Sequence, residues 1–291
     1  MSTTTPPSAT ARAARTRQPA EPAAFRSPAF LLRTSLARTA VELKELSRSW
    51  DALIFNVFFP IIFLFIFGSV FSGDVAPGVS FTQYFTAGMA ASGVLLVSFQ
   101  SLAISIAVER DDGLLKRLEG TPVPPAAYFL GKVGLVVVTG AVQMAVLLTA
   151  AHLLFDVDLP AGPQQWWTLA WVTVLGAAAG TLLGIAYSSV PRTGRSASAV
   201  TAPVVLVLQF ISGVFFVYSQ LPGWMQDVAA VFPLKWMAEG FRAALLPESM
   251  AAAEPAGEWQ LGLIALVLAG WTVVGLLLCR TTFRWRRRGD R

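Results

Sequence analysis

Few residues of this chain are equipped for catalysis. His152 is the one histidine and Cys279 the one cysteine among 291 residues. No His/Cys set can therefore hold zinc, and no His-Glu-x-x-His stretch occurs. Gly131-Lys132 resembles the end of a phosphate-binding loop, but Val133 stands where a Ser or Thr hydroxyl would meet magnesium. His152 reads as an interfacial side chain and Cys279 as a packing residue. Charge chemistry is concentrated in one segment instead: Glu109-Arg110-Asp111-Asp112-Gly113-Leu114-Leu115-Lys116-Arg117-Leu118-Glu119-Gly120-Thr121-Pro122. Leu114, Leu115 and Leu118 form an i, i+1, i+4 apolar edge, and Gly120 with the following prolines ends the helix. A plain solvated loop needs no such ridge, whereas a short charged helix with one apolar edge suits a groove in a soluble partner.

A second amphipathic stretch contains Phe232-Pro233-Leu234-Lys235-Trp236 and then Glu239 and Arg242, preceded by Leu221-Pro222-Gly223-Trp224. It predicts short helices that dip into or lie on the outer leaflet. Glu239 and Arg242 are spaced i,i+3 and read as a solvated ion pair of little energetic worth. A gate and a structural interface are both open for this segment. Gly176, Gly180 and Gly184 recur at four-residue steps, which permits close helix approach within the bundle or between subunits.

The elements that must hold these residues follow from composition. Hydrophobic residues make up 55% of the chain and charged residues only 13%, about half the ~25% of soluble domains. Mean hydropathy is +0.60. An ordinary cytosolic enzyme, a disordered chain and a disulfide-built secreted domain are excluded. Six stretches reach the ~20 apolar residues a bilayer requires, near 52–71, 84–108, 133–155, 165–187, 199–219 and 260–279. None holds Asp, Glu, Lys or Arg within those bounds. Their polar content is Asn56, Gln100, Gln143, Gln209 and some Ser and Thr, which usually bond between helices.

Residues 1–28, rich in Ser, Thr, Pro and Ala, read as a disordered cytoplasmic tail. Residues 29–50 read as an amphipathic interfacial helix, with Leu32, Leu36, Thr39, Leu43, Leu46 and Trp50 on one stripe and Arg38 and Glu42 as an i,i+4 pair. A soluble helix in the tail is the alternative. The transmembrane domain covers 51–280, and a basic tail covers 281–291. Of the 22 Lys and Arg, all but Lys235 and Arg242 fall on one side of a six-span layout, which predicts cytoplasmic N- and C-termini. The positive charge is then explained by membrane lipid, not nucleic acid.

On these features the chain resembles the ABC-2-type transporter permeases from Phe30 to Arg280. The likeness rests on Glu109-Arg110-Asp111-Asp112-Gly113 with Leu115, Leu118 and Thr121-Pro122, which is similar to the family's E-R-E-x-G-T-L-x-x-L…T-P pattern, with Leu114 where Thr is common. Phe232-Pro233-Leu234-Lys235-Trp236 before the last span is the second motif. The resemblance implies an all-α integral membrane protein: six transmembrane helices, an N-terminal amphipathic helix, a cytoplasmic coupling helix and short re-entrant helices before the last span. It implies that Glu109, Arg110, Asp111, Asp112, Gly113, Leu115, Lys116, Arg117, Leu118 and Pro122 couple to a separate ATP-binding subunit, Leu115 and Leu118 as apolar anchor. Phe232, Pro233, Lys235, Trp236, Glu239 and Arg242 would form the outer re-entrant or gate segment. No cofactor is implied in this chain, since ATP and magnesium would bind the partner.

The expected assembly is a homodimer or heterodimer of permeases in a bacterial cytoplasmic (inner) membrane. The expected activity is efflux of a drug, antibiotic or lipid-like substrate. Polysaccharide or glycolipid export is the alternative, followed by a secondary transporter or a membrane scaffold.

Overall fold

The computed structural model describes residues 27–71, 73–121, 123–283 and 285, without the side chains of 50–53 and 55–57. The expectations for 1–26, Pro122, Trp50, Asn56 and most of the basic tail fall outside these residues. The described chain is built almost wholly of helices. Helix α1 (Pro28–Arg48) starts on Ser27, whose Oγ accepts from Phe30 N at 3.2 Å. It leads into α2 (Trp50–Val70). A small hairpin, β1 (Asp74–Ala76) and β2 (Val79–Ser80), precedes α3 (Phe81–Asp111). The short α4 (Leu114–Glu119) follows, then α5 (Pro125–Phe155), α6 (Pro163–Tyr187) and α7 (Gly194–Ile211). Helices α8 (Gly223–Val231) and α9 (Pro233–Leu245) come before the last helix, α10 (Leu261–Thr282).

Helices α3, α5, α6, α7 and α10 are long and apolar enough to cross a bilayer. At 1.5 Å per residue, the 21 residues of α2 reach about the same ~30 Å. α3 is the axis of the bundle, with α2, α5, α6, α7 and α9 packed round it. Phe59, Phe63 and Phe67 repeat every fourth residue of α2, continued by its C-cap Phe71, and this aromatic ridge packs on Phe85 of α3 and on Phe215.

Three helix boundaries differ from the sequence reading. The third span opens at Pro125, not near Val133, because proline at the first helical position costs no hydrogen bond. Lys132 and Tyr128 consequently lie inside a helix and are buried. Where a fifth span is expected at 199–219, the helix is α7, Gly194–Ile211. Thr193 caps it, its Oγ1 accepting from Ser196 N at 3.2 Å, and the chain turns at Gly213, which has φ +73°. Likewise α3 runs on to Asp111, so Glu109 and Arg110 are buried in a helix continuous with the second span. The apolar stretches are free of charge, but α3 and α5, which contain two of them, are not.

Midway, α3 widens into a π-helical segment at Leu96–Gln100. Ser98 Oγ donates to Val94 O at 2.6 Å and Ser101 Oγ to Leu96 O at 3.0 Å, which bonds both edges of the widened turn. The glycine stripe of α6 receives this segment. A Cβ on Gly184 would stand 2.7 Å from Phe99 O, one on Gly180 would collide with Ser98 Oγ, and Gly176 receives Met237 of α9. The stripe thus packs within one chain.

Candidate functional site

The charged segment begins inside the bundle. Each of its first three residues fastens to a different element. Glu109 Oε1 accepts from Lys132 Nζ of α5, and its Oε2 accepts from Tyr128 Oη at 2.8 Å. Lys132 is wholly buried and also donates to Glu42 Oε2 of α1 at 2.7 Å and Ser105 Oγ at 3.3 Å. Arg38 Nη2 stands 2.7 Å from Glu42 Oε1 as an ion pair and 3.8 Å from Glu109 Oε2. Two cations and two carboxylates therefore lock α1, α3 and α5 together. Buried charge is tolerated only when paired and hydrogen-bonded in this way.

Arg110 and Asp111 hold the next two helices. Arg110 Nη1 donates to Ser188 O at 2.6 Å and Nη2 to Ser188 Oγ at 3.0 Å. Ser188 is the C-cap of α6, so a cation meets the negative end of that helix. Asp111 Oδ2 accepts from Gly194 N at 3.1 Å, at the first residue of α7. An anion thus meets the positive end of α7. A Cβ on Gly194 would stand 2.9 Å from Val108 Cα, so the close approach requires glycine.

After Asp112 the chain reverses at Gly113, whose φ of +75° favours glycine, and α4 begins. Leu115 is fully buried with Ile106, Tyr128 and Ile185, and Leu118 packs half-buried on the same cluster. Both leucines therefore anchor α4 to its own bundle rather than offering an apolar face to a partner. Lys116, Arg117 and Glu119 form the exposed side of α4, and Asp112 is exposed just before its start.

Helix α1 is also oriented differently from its sequence stripe. Leu32 and Leu36 point outward, 62% and 61% exposed, while Ser35, Arg38, Thr39 and Glu42 turn towards α5. Gly131 and Gly134 admit that contact: Arg38 crosses the first and Thr39 the second. The apolar side of α1 is thus left exposed, and its polar side packs on the bundle.

At the other end of the bundle, Lys235, Glu239 and Arg242 of α9 are buried. The anticipated solvated pair of Glu239 with Arg242 is absent. Lys235 Nζ donates to Glu239 Oε2 at 2.5 Å and lies 3.5 Å from the Trp236 ring centroid. Arg242 takes Glu254 instead, Nε to Oε1 at 2.5 Å and Nη2 to Oε2 at 3.2 Å. Glu239 Oε1 accepts from Gln260 N at 3.2 Å, which ties α9 to the start of α10. Phe232 stacks on Trp271, and Pro233 starts α9. Burial pushes the Tyr218 phenol up to about 12, partly opposed by Arg242. It stays protonated and donates to Gln226 O at 2.9 Å. Sequence reasoning missed Glu254 and Tyr128, since no periodic pattern links Arg242 to a carboxylate across a chain reversal or Glu109 to a phenol on another helix.

Among the described residues no His, Cys, Asp and Glu group could hold a metal. His152 Nδ1 lies 3.0 Å from Val157 O, and Cys279 Sγ donates to Leu182 O at 3.0 Å. Both side chains thus engage backbone.

The ABC-2 type transporter family model matches residues 36–246, which include the charged joint, α4 and all of α9. The inner membrane transport permease YadH of Escherichia coli is 26% identical over 210 residues, 71% of this chain and 80% of the relative. The putative transport permease YvfS of Bacillus subtilis is 21% identical over 200 residues, 67% of this chain and 79% of the relative.

Proposed function

Because this chain belongs to the ABC-2 type transporter family, and so is a multi-pass membrane subunit of a transporter, we propose that it is the permease of an ATP-driven exporter whose ATPase is a separate chain. ATP and magnesium bind that partner. The observation carrying the reading is the joint under α4. A push on this short helix is delivered through Glu109 to α1 and α5, through Arg110 to α6 and through Asp111 to α7. Few arrangements would pass one local displacement to so many spans. Packed helices with paired charges resist small deformations and move as units.

The exposed side of α4, Lys116, Arg117 and Glu119 with the preceding Asp112, is the docking face, and Leu115 and Leu118 hold it to the bundle. In this reading the basic end of the bundle, with both termini, is cytoplasmic. The α8–α9 knot then lies at the outer face, where its buried ion pairs favour a packed closure. Two permeases, alike or different, complete the pathway. The apolar helices suit a hydrophobic or amphipathic cargo such as a drug, antibiotic or lipid-like molecule.

The test is reconstitution of this chain with its ATPase in vesicles, reading ATP hydrolysis and cargo movement. ATP-dependent outward transport by the pair, and none by either chain alone, is expected. Gradient-driven transport by this chain alone would sink the proposal in favour of a secondary transporter.

A further inference from the structure

α10 packs along α6, whereas α5 packs chiefly on α1 and α3. A lateral groove of about 820 Å³ is left between α5 and α10, floored by α6. Small residues make the space: Gly140 on α5, Ala177 and Ala178 on α6. A Cβ on Gly140 would meet nothing within 4 Å. The flanking Val137 and Leu276 are 60% and 44% exposed, so the groove opens sideways, where a membrane protein meets lipid.

Its lining offers little to a polar molecule. The Thr173 hydroxyl already donates to Leu169 O and the Cys279 thiol to Leu182 O. The basic end of the groove is different. Phe129, Phe283 and Trp285 pack edge to face there, with ring centroids 5.0–5.9 Å apart. Arg280 lines the groove beside them. It is exposed, and among the described residues no carboxylate pairs with it. An apolar slot, an aromatic collar and one uncompensated guanidinium at the mouth match a molecule with an apolar chain and an anionic head.

We propose that this groove binds an anionic phospholipid, one acyl chain lying along Gly140, Ala177 and Ala178 and the headgroup phosphate on Arg280. The aromatic collar sits at the depth where chain gives way to headgroup, as interfacial aromatics do. The collar packs on the same apolar cluster as Leu115 and Leu118, on the inner side of α4, and the proposal does not depend on the direction of transport.

The test is native mass spectrometry of the full chain from a mild detergent supplied with equal phosphatidylglycerol and phosphatidylethanolamine. The wild type should retain phosphatidylglycerol preferentially. Arg280→Gln should lower that retention about fivefold, as expected for losing one basic residue at an anionic surface, and Arg280→Lys should keep most of it. Gly140→Phe, which fills open space, should reduce retention of both lipids. Equal retention of the two lipids by the wild type overturns the proposal. So does unchanged phosphatidylglycerol retention in Arg280→Gln or in Gly140→Phe. Arg280 is exposed and keeps the test interpretable if Gly140→Phe folds poorly.

Discussion

Lys132 reaches Glu109 from the neighbouring helix with no part of its side chain in contact with solvent. The pair joins the start of α5 to the end of α3, and Glu42 draws α1 into the same contact. Replacing Lys132 with Met leaves two buried carboxylates short of a cation. The expected cost is about 3–5 kcal/mol, read as a lowered unfolding temperature in detergent. Adding Glu109→Gln to that variant should recover part of the loss. Unchanged stability of Lys132→Met would show that the buried pair does not hold these helices.

Arg110 and Asp111 make a separate prediction, because they fasten helix ends rather than a charge cluster. Arg110→Ala removes both bonds to Ser188, and Asp111→Ala removes the acceptor for Gly194 N. Hydrogen bonds to charged groups contribute about 1.5–3 kcal/mol. Amide exchange should accelerate at the turn between α6 and α7 in both variants, and less elsewhere. Uniform acceleration along the whole chain would contradict a local capping role.

The knot around α8 and α9 is expected to be more sensitive to Glu254 than to Glu258. Glu254 is the buried partner of Arg242, which is itself wholly buried, whereas Glu258 is exposed. Glu254→Gln should destabilise by roughly 2–5 kcal/mol, since a buried guanidinium loses its counter-charge. Glu258→Gln should stay within about 0.5 kcal/mol. Comparable losses in the two variants would remove Arg242 from the explanation.

Much of this could be read from residue order. The apolar runs gave the all-α membrane class, and the charged run marked α4. The depth of Glu109, Arg110 and Lys132 was hidden for a physical reason. Hydropathy treats each charge as a reason to leave the membrane, yet three helices bring Glu42, Glu109 and Lys132 within bonding distance, and together they are stable where each alone is not. The orientation of α1 was misleading in a similar way. Its apolar stripe is real, but Gly131 and Gly134 on a distant segment determine that the polar side faces protein. Arg242 and Glu254 meet only through a chain reversal, which periodicity cannot report.

The glycines of α6 and α10 should separate by what surrounds them. Gly184→Ala places a methyl against the Phe99 backbone, and overpacking of this kind costs about 1–3 kcal/mol. Gly270 on α10 has nothing within 4 Å of the added atom, so Gly270→Ala should be neutral or stabilising by up to about 1 kcal/mol through helix propensity. Thermal unfolding of the two single variants checks the contrast. Equal effects would mean that the α6 stripe does not seat the π-helical turn.

The two sides of α4 should also come apart experimentally. Leu115→Ala empties a fully buried position and should cost about 2–5 kcal/mol of stability. Asp112→Arg and Arg117→Glu change exposed positions and should leave stability within about 0.5 kcal/mol. If α4 docks on an ATPase, these two surface variants should lower recovery of the co-expressed ATPase and its cargo-stimulated hydrolysis. Charge reversal opposite a complementary surface acts through repulsion as well as lost attraction. A partner variant of opposite charge at the facing position should then restore recovery, a result that a folding defect could not produce. Normal ATPase recovery with both surface charges reversed would move the docking face away from α4.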